Sequence, residues 1–188
     1  MNAVADPGTA AESAVLRILA DLDGTVERGV VVDSPPGAGK STLVVRASRH
    51  LVARGERTMI VAQTNEQVDD LVDRLAIAQP DVLIGRLHAQ GYRLPVRASR
   101  HPNVVGAERE RDLLDCPVIV ATAAKWAWAK DFRRRWAIID EAYQMRSDAL
   151  LRAARLFDRG CSWGIRASWT PSAWSTPSAG QASAGIPC

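Results

Sequence analysis

Val30-Val-Val-Asp-Ser-Pro-Pro-Gly-Ala-Gly-Lys-Ser-Thr42 is the stretch that decides the fold. Val30 to Val32 is a short β-branched run suited to a strand. It feeds a turn carrying Gly37 and Gly39, and helical spacing then holds from Lys40 to Val52, with a stop near Gly55. A strand, a Gly-rich turn and a helix together suit a triphosphate. The glycines permit a tight turn, so that N–H groups at 37 to 41 face the phosphates. The helix aims the positive end of its dipole at the same place. The expected nucleotide-binding loop comprises Pro36, Gly37, Ala38, Gly39, Lys40, Ser41 and Thr42. Lys40 would reach the β- and γ-phosphates, and the Ser41 hydroxyl would ligate Mg²⁺. Ser34 stands where the usual pattern GxxxxGK[ST] has its first glycine. That position ends the strand and does not cradle phosphate. The plainer alternative is a Gly-rich turn with no ligand.

A second motif, Asp140-Glu-Ala-Tyr-Gln144, follows the apolar run Trp136-Ala-Ile-Ile139. Ligands of open α/β sheets bind at the carboxyl ends of strands. Two adjacent carboxylates there can divide the work. Asp140 would hold Mg²⁺ through water, and Glu141 would polarise an attacking water. The competing explanation is a helix N-terminus favouring acids.

Outward from these motifs, residues 1–11 are small and polar and are expected to fray. Val15, Leu16, Leu19 and Leu22 keep helical spacing from Glu12, ending at Asp23-Gly24. Thr58–Ala62 reads as a strand, followed by a helix marked by Val68, Leu71, Val72 and Leu75. Val82–Ile84, Val118–Val120 and Ala137–Ile139 are further strands. A helix is expected around Ala123–Ala129, and another from Ser147 through Leu156. Residues 88–112 carry Pro95 and Pro102 and yield no assignment. Apolar strands alternating with amphipathic helices imply a parallel α/β sheet covered on both faces.

Composition adds bounds. The 188 residues suffice for one domain with a core. The net charge of +3 owes much to residues 159–188, which hold two arginines and no acid; residues 1–158 carry 22 basic and 21 acidic residues. Overall basicity therefore does not point to nucleic acid. No apolar run is long enough to span a membrane, no signal peptide is evident, and Cys116, Cys161 and Cys188 have no metal-ligand spacing. A soluble, cytoplasmic protein with no membrane partner is expected; oligomeric state is not legible.

Asp-Glu-Ala-x-Gln after an apolar strand resembles motif II of superfamily 1 helicases, and Pro-Pro-Gly-Ala-Gly-Lys-Ser resembles motif I of their 5′-to-3′ branch. Ala62-Gln-Thr-Asn65 with Val68-Asp-Asp-Leu71 is similar to motif Ia, and Ile119-Val-Ala-Thr122 to a later strand whose threonine contacts nucleic acid. The likeness covers about residues 28–158, in family order. It implies a RecA-like P-loop NTPase domain, the first of two in a motor, using ATP and Mg²⁺ and acting on single-stranded nucleic acid. It assigns catalysis to Lys40, Asp140, Glu141 and Gln144, metal binding to Ser41 and Asp140, and strand contact to Thr64, Asn65 and Thr122. For Thr64 and Asn65 helix capping is the competing role. The glutamine that reads adenine in many relatives is not evident, because none precedes Gln63. Arg86, Arg93, Arg97 and Arg100 read as a solvated face, or else as attraction for phosphates; Arg133–Arg135 read as solvated. Trp126 and Trp128 suit packing more than base stacking. His50, His88 and His101 receive no role.

The pattern changes after Asp158. The family continues with a strand and Gly-Asp-x-x-Gln-Leu, whereas this chain has Ser, Ala, Gly, Pro and Trp. Offset by one base, the codons from Arg159 are compatible with GLLVGDPGQLDPFGV. Trp163-Gly164 then must encode glycine and Trp169-Thr170 aspartate, the first and last positions of Gly-Asp-Pro-Gly-Gln-Leu-Asp. The expectation is a partial ATPase domain over 12–158, incomplete at its C-terminus, with a disordered, out-of-frame tail over 159–188. The strands bearing the two motifs would then lack the neighbour between them, leaving the chain marginally stable; Cys161 to Ile165 offers a weak substitute in that slot, hindered by Gly164. Three functions follow: an ATP-binding fragment of a helicase-like ATPase, a small P-loop kinase, or a remnant without function.

Overall fold

Seven strands lie side by side, all parallel, in a computed structural model that describes residues 7–24, 29–33 and 39–164. They are β1 (Gly29–Asp33), β2 (Thr58–Ala62), β3 (Ile84–Leu87), β4 (Val104–Ala107), β5 (Val118–Thr122), β6 (Arg134–Asp140) and β7 (Phe157–Gly164). Their spatial order is β1-β7-β6-β2-β5-β3-β4. The helices are α1 (Pro7–Asp23), α2 (Lys40–Ala53), α3 (Asn65–Ala78) and the shorter α4 (Val96–Ser99), α5 (Ala123–Trp126) and α6 (Ser147–Ala153).

Alternate residues of each strand point to opposite faces, and both faces are covered. Register places Val30, Cys161, Ile138, Ile60 and Val120 in one row across five strands. These pack with Leu22 of α1, Leu43, Val44 and Leu51 of α2, and Val68, Leu71 and Leu75 of α3. The other face gathers Met59, Val61, Ile119, Ala121, Ala137 and Ile139 against Trp126, Phe132, Leu150 and Phe157. Burial on both faces explains why these strands read as continuous apolar runs.

The central slot differs from expectation. The sheet does not lack a strand between those bearing the two motifs: β7 fills it, pairing Gly29–Asp33 with Gly160–Gly164 on one side and Arg134–Asp140 with Phe157–Trp163 on the other. Residues 159–164 are thus strand, and the change of composition after Asp158 is not a structural boundary. Cys161 is fully buried. Gly160 gives the Phe157 ring room, because a Cβ there would stand 3.1 Å from it. Residues 165–188, including Trp169 and Cys188, lie outside the described residues.

Smaller differences have local causes. Helix α1 starts at Pro7, a residue suited to a first helical position, so residues 7–11 are its opening turns. Ile18 joins the core while Leu16 is exposed. The third strand is Ile84–Leu87, two residues later than the apolar count placed it. The Asn103 amide donates to the carbonyls of Ala76, Gln79 and Val82, holding Val82 in the preceding turn. Strand β4 lies in the stretch that yielded no assignment. After α5 the expected helix stops at one turn, and after α6 the last turn to Leu156 tightens to 3-10 geometry.

Candidate functional site

The two motifs converge at the carboxyl edge of the sheet. β1 ends at Asp33 and α2 begins at Lys40; Pro36, Gly37 and Ala38 lie outside the described residues. Gly39 precedes the helix at φ 75°, in left-handed geometry that favours glycine, with nothing within 4 Å of where a Cβ would stand. Its carbonyl accepts from the Leu43 N–H at 3.1 Å, closing the first turn. No side-chain cap occupies the N-terminus of α2. Lys40, Ser41 and Thr42 make up that first turn.

Asp140 is the last residue of β6 and is buried. Glu141 follows at φ 51°, ψ 50°, a conformation that costs a non-glycine residue about 1–3 kcal/mol. A 3-10 turn over Ala142–Gln144 continues from it, with the Gln144 N–H donating to the Glu141 carbonyl at 2.9 Å. The turn aims Glu141 back at the phosphate-loop helix. Lys40 Nζ stands 3.2 Å from Glu141 Oε1, with both side chains largely buried, and 5.9 Å from the centre of the Tyr143 ring. Gln144 Nε2 donates to the Tyr143 hydroxyl at 2.9 Å. One ammonium, one helix N-terminus and the Glu141 carboxylate therefore meet at one place, with Asp140 the residue before Glu141 in the chain.

That arrangement suits a magnesium-bound triphosphate. Lys40 and the α2 N-terminus supply positive potential for phosphate, and Glu141 now holds the position of its counter-anion. Among the described residues no group of three or more His, Cys, Asp or Glu forms a metal cage. Nucleotide-borne Mg²⁺ needs only one or two protein oxygens besides phosphate and water, which Ser41 and Asp140 provide in kind.

Thr64, Asn65 and Thr122 stand on the same edge. β2 and β5 pair Ala62 with Thr122, so the segment after β2 lies beside the end of β5. Thr64 caps α3 through a full capping box: its hydroxyl accepts from Gln67 N at 3.2 Å, and Gln67 Oε1 accepts from Thr64 N at 3.1 Å. Thr122 caps α5, accepting from Lys125 N at 3.2 Å. Accepting engages a lone pair and leaves each hydroxyl its O–H donor, so capping and outward donation are compatible.

Asn65 is oriented by a network that sequence reading missed. Arg86 is fully buried, which corrects its placement on a solvated face. Its Nε donates to Asp69 Oδ1 at 2.8 Å, one terminal nitrogen to the Leu87 carbonyl at 2.7 Å, and the other to Asn65 Oδ1 at 3.0 Å. Tyr92 donates its hydroxyl to Asp69 and lies 5.0 Å below the guanidinium; burial, then the Asp69 hydrogen bond, push its phenol pKa up. Because Arg86 only donates, the Asn65 oxygen must face inward and its NH₂ outward. The signal available beforehand was an arginine following two apolar strand residues.

The other arginines are structural or exposed. Arg97 pairs with Glu66, Arg100 with Asp73, and Arg93 is exposed. Arg133 pairs with Asp158 and Arg135 with Glu56, but Arg134 is buried, capping the Leu114 and Cys116 carbonyls, and burial lowers its pKa. Trp126 is core, donating to the Ile60 carbonyl; Trp128 is exposed. His50 and His101 pair with Asp23 and Asp73.

Strand order and helix placement define a RecA-like α/β fold. Comparison with solved structures agrees. The chain is similar over 88% of its length to a nuclease-deletion mutant of the Type ISP restriction-modification enzyme LlaGI, solved with a DNA substrate mimic (TM-score 0.58, 13% identity, 18% of that chain). It is similar over 83% to a hypothetical ATP-dependent RNA helicase from Sulfolobus tokodaii (0.56, 14%, 45% of that chain). A third similarity covers 86%, to the Arterivirus nonstructural protein 10 helicase with DNA (0.51, 16%, 35% of that chain). In sequence, 53 residues are 38% identical to DNA-binding protein SMUBP-2 of Rattus norvegicus, and likewise of Mus musculus. That span is 28% of this chain and 5% of those proteins. No protein-family model matches the chain. Among the described residues, no helix is long and apolar enough to cross a membrane.

Proposed function

We propose that this chain binds ATP with Mg²⁺ as the first RecA-like domain of a superfamily 1 helicase-like ATPase acting on single-stranded nucleic acid. The observation that carries the reading is the 3.2 Å approach of Lys40 Nζ to Glu141 Oε1, which brings the phosphate-loop helix and the acidic turn to one point. Lys40 would neutralise the terminal phosphates, Ser41 and Asp140 would hold the metal, and Glu141 would orient the attacking water. Gln144 sits one turn further on, within reach of the same edge. Thr64, Asn65 and Thr122 would meet the phosphodiester backbone along the neighbouring strand ends. The neighbours solved with DNA, and the name of the curated relatives, favour a nucleic-acid partner.

Sustained turnover in this class draws on groups from a second domain, including an arginine that stabilises transition-state charge. The chain spans 18–45% of the solved chains it resembles, and the proposal for residues 1–188 is nucleotide binding. Thermal unfolding with and without MgATP tests it. Ligand at about a hundred times its dissociation constant adds about 2.7 kcal/mol to stability. An unchanged transition at saturating MgATP would refute the reading.

A further inference from the structure

Gln63 belongs to neither site described above, yet it touches both. Its backbone N–H donates to Gln67 Oε1 at 3.1 Å, the same oxygen that accepts from Thr64 N in the capping box. Its side chain runs the other way, across the β2–β6 boundary, where Nε2 donates to the Gln144 carbonyl at 3.0 Å. One residue thus ties the segment carrying Thr64 and Asn65 to the acidic turn carrying Glu141. The contact is specific in geometry, because the acceptor is a backbone carbonyl of the turn rather than a mobile side chain.

That turn carries an ion pair that a bound nucleotide would contest. In this structure Lys40 holds Glu141. An arriving triphosphate competes for the same ammonium, so Glu141, in left-handed geometry at the head of the turn, loses its counter-ion as the nucleotide gains one. A change at Glu141 is felt three residues on at Gln144, whose N–H is bonded to the Glu141 carbonyl and whose own carbonyl is held by Gln63. On the other side the capping box fixes Thr64, and Arg86 fixes Asn65, so displacement of Gln63 moves a rigid unit.

We infer that Gln63 is a positioning residue that couples nucleotide binding to single-strand binding through its hydrogen bond to the Gln144 carbonyl. The inference rests on the proposed function. By linkage the coupling is reciprocal: whatever factor nucleotide applies to oligonucleotide affinity, oligonucleotide applies to nucleotide affinity.

The test uses the full chain and its Gln63→Leu and Gln63→Glu variants. Binding of short fluorescein-labelled oligothymidylate and oligouridylate is measured by anisotropy, with and without a magnesium complex of a non-hydrolysable ATP analogue. Analogue affinity is measured with and without unlabelled oligonucleotide. In the parent each ligand should change the other's affinity by about fivefold. Gln63→Leu, which keeps an apolar stem but loses the donor, should bring that factor to within about twofold of unity while leaving each affinity alone near the parent value. Gln63→Glu, which sets a carboxylate against the carbonyl, should do so at least as strongly. A purely structural role would lower the melting temperature and leave the coupling factor intact, overturning the inference. So would a parent that binds both ligands independently. A parent that binds neither ligand overturns the proposed function as well, so the two failures are distinguishable.

Discussion

The ammonium of Lys40 stands 3.2 Å from a carboxylate oxygen of Glu141, joining the first turn of α2 to the residue after β6. Each group satisfies the charge of the other. Under the proposed function a triphosphate would compete with Glu141 for the same ammonium.

Replacing either partner therefore shifts nucleotide affinity, in opposite directions. Lys40→Met should abolish the thermal stabilisation by MgATP. Losing the ion pair costs on the order of 1 kcal/mol, so the unliganded melting temperature should fall by only about 2–4 °C. Glu141→Gln relieves the competition and should tighten MgATP binding by about two- to fivefold. Isothermal titration of both variants checks this, and weaker binding by Glu141→Gln would contradict it.

The buried Arg86–Asp69 pair should dominate stability among the ion pairs. Arg86→Ala leaves Asp69 charged in the core, where removal of one partner costs about 3–5 kcal/mol. The Arg74–Asp70 pair has the same charges one helical turn apart, but both side chains are more than a third exposed. Arg74→Ala should cost less than about 1 kcal/mol. Urea denaturation of the two variants measures the contrast, and equal costs would show that burial does not matter here.

Acid should weaken the contact between α3 and the segment after α4. The His101 hydrogen bond, opposed by desolvation and helped by Arg100, holds the Asp73 carboxyl below the usual carboxylate range. A carboxyl whose folded pKa is depressed stabilises the fold fully above its unfolded value of about 3.9 and loses that contribution as pH falls through the lower folded value. Asp73→Asn should therefore be less stable than the parent at neutral pH, and the gap should close below about pH 4. Denaturation at a series of pH values checks both halves.

Cys161 reports on the central strand. It is fully buried in β7, and burial raises its thiol pKa far above the ordinary range. Alkylation of native protein, resolved by mass spectrometry, should leave Cys161 unmodified until the chain unfolds. Rapid native labelling would mean that residues 159–164 do not occupy the slot between β1 and β6.

Patterns confined to a few consecutive residues were legible early. The alternation of apolar strands with amphipathic helices led directly to a parallel, doubly covered sheet, because burial on both faces leaves its mark along each strand. The two motifs were legible for the same reason: a Gly-rich turn before a helix and a carboxylate pair at a strand end are local patterns. Capping stood only as the competing role for Thr64 and Asn65, and the capping box with Gln67 assigns it to Thr64.

What escaped depended on distant partners. Arg86 read as a surface charge because no local rule shows that Asp69, Asn65 and Tyr92 will surround it; only their meeting makes a buried guanidinium tolerable. β7 was read only as a weak substitute from Cys161 on, because Arg159-Gly-Cys-Ser162 lacks the apolar run of a central strand. Its place is secured instead by backbone pairing on both sides, by Phe157 against Gly160, and by one buried thiol. Sequence determined the class of fold and marked the two turns that meet at the strand ends, since both follow from short-range steric and hydrophobic patterns. The tertiary structure alone decided which strand fills the centre, which arginine is buried, and that Gln63 bridges the two edges. Those outcomes turn on desolvation and hydrogen bonding between residues that chain order keeps apart.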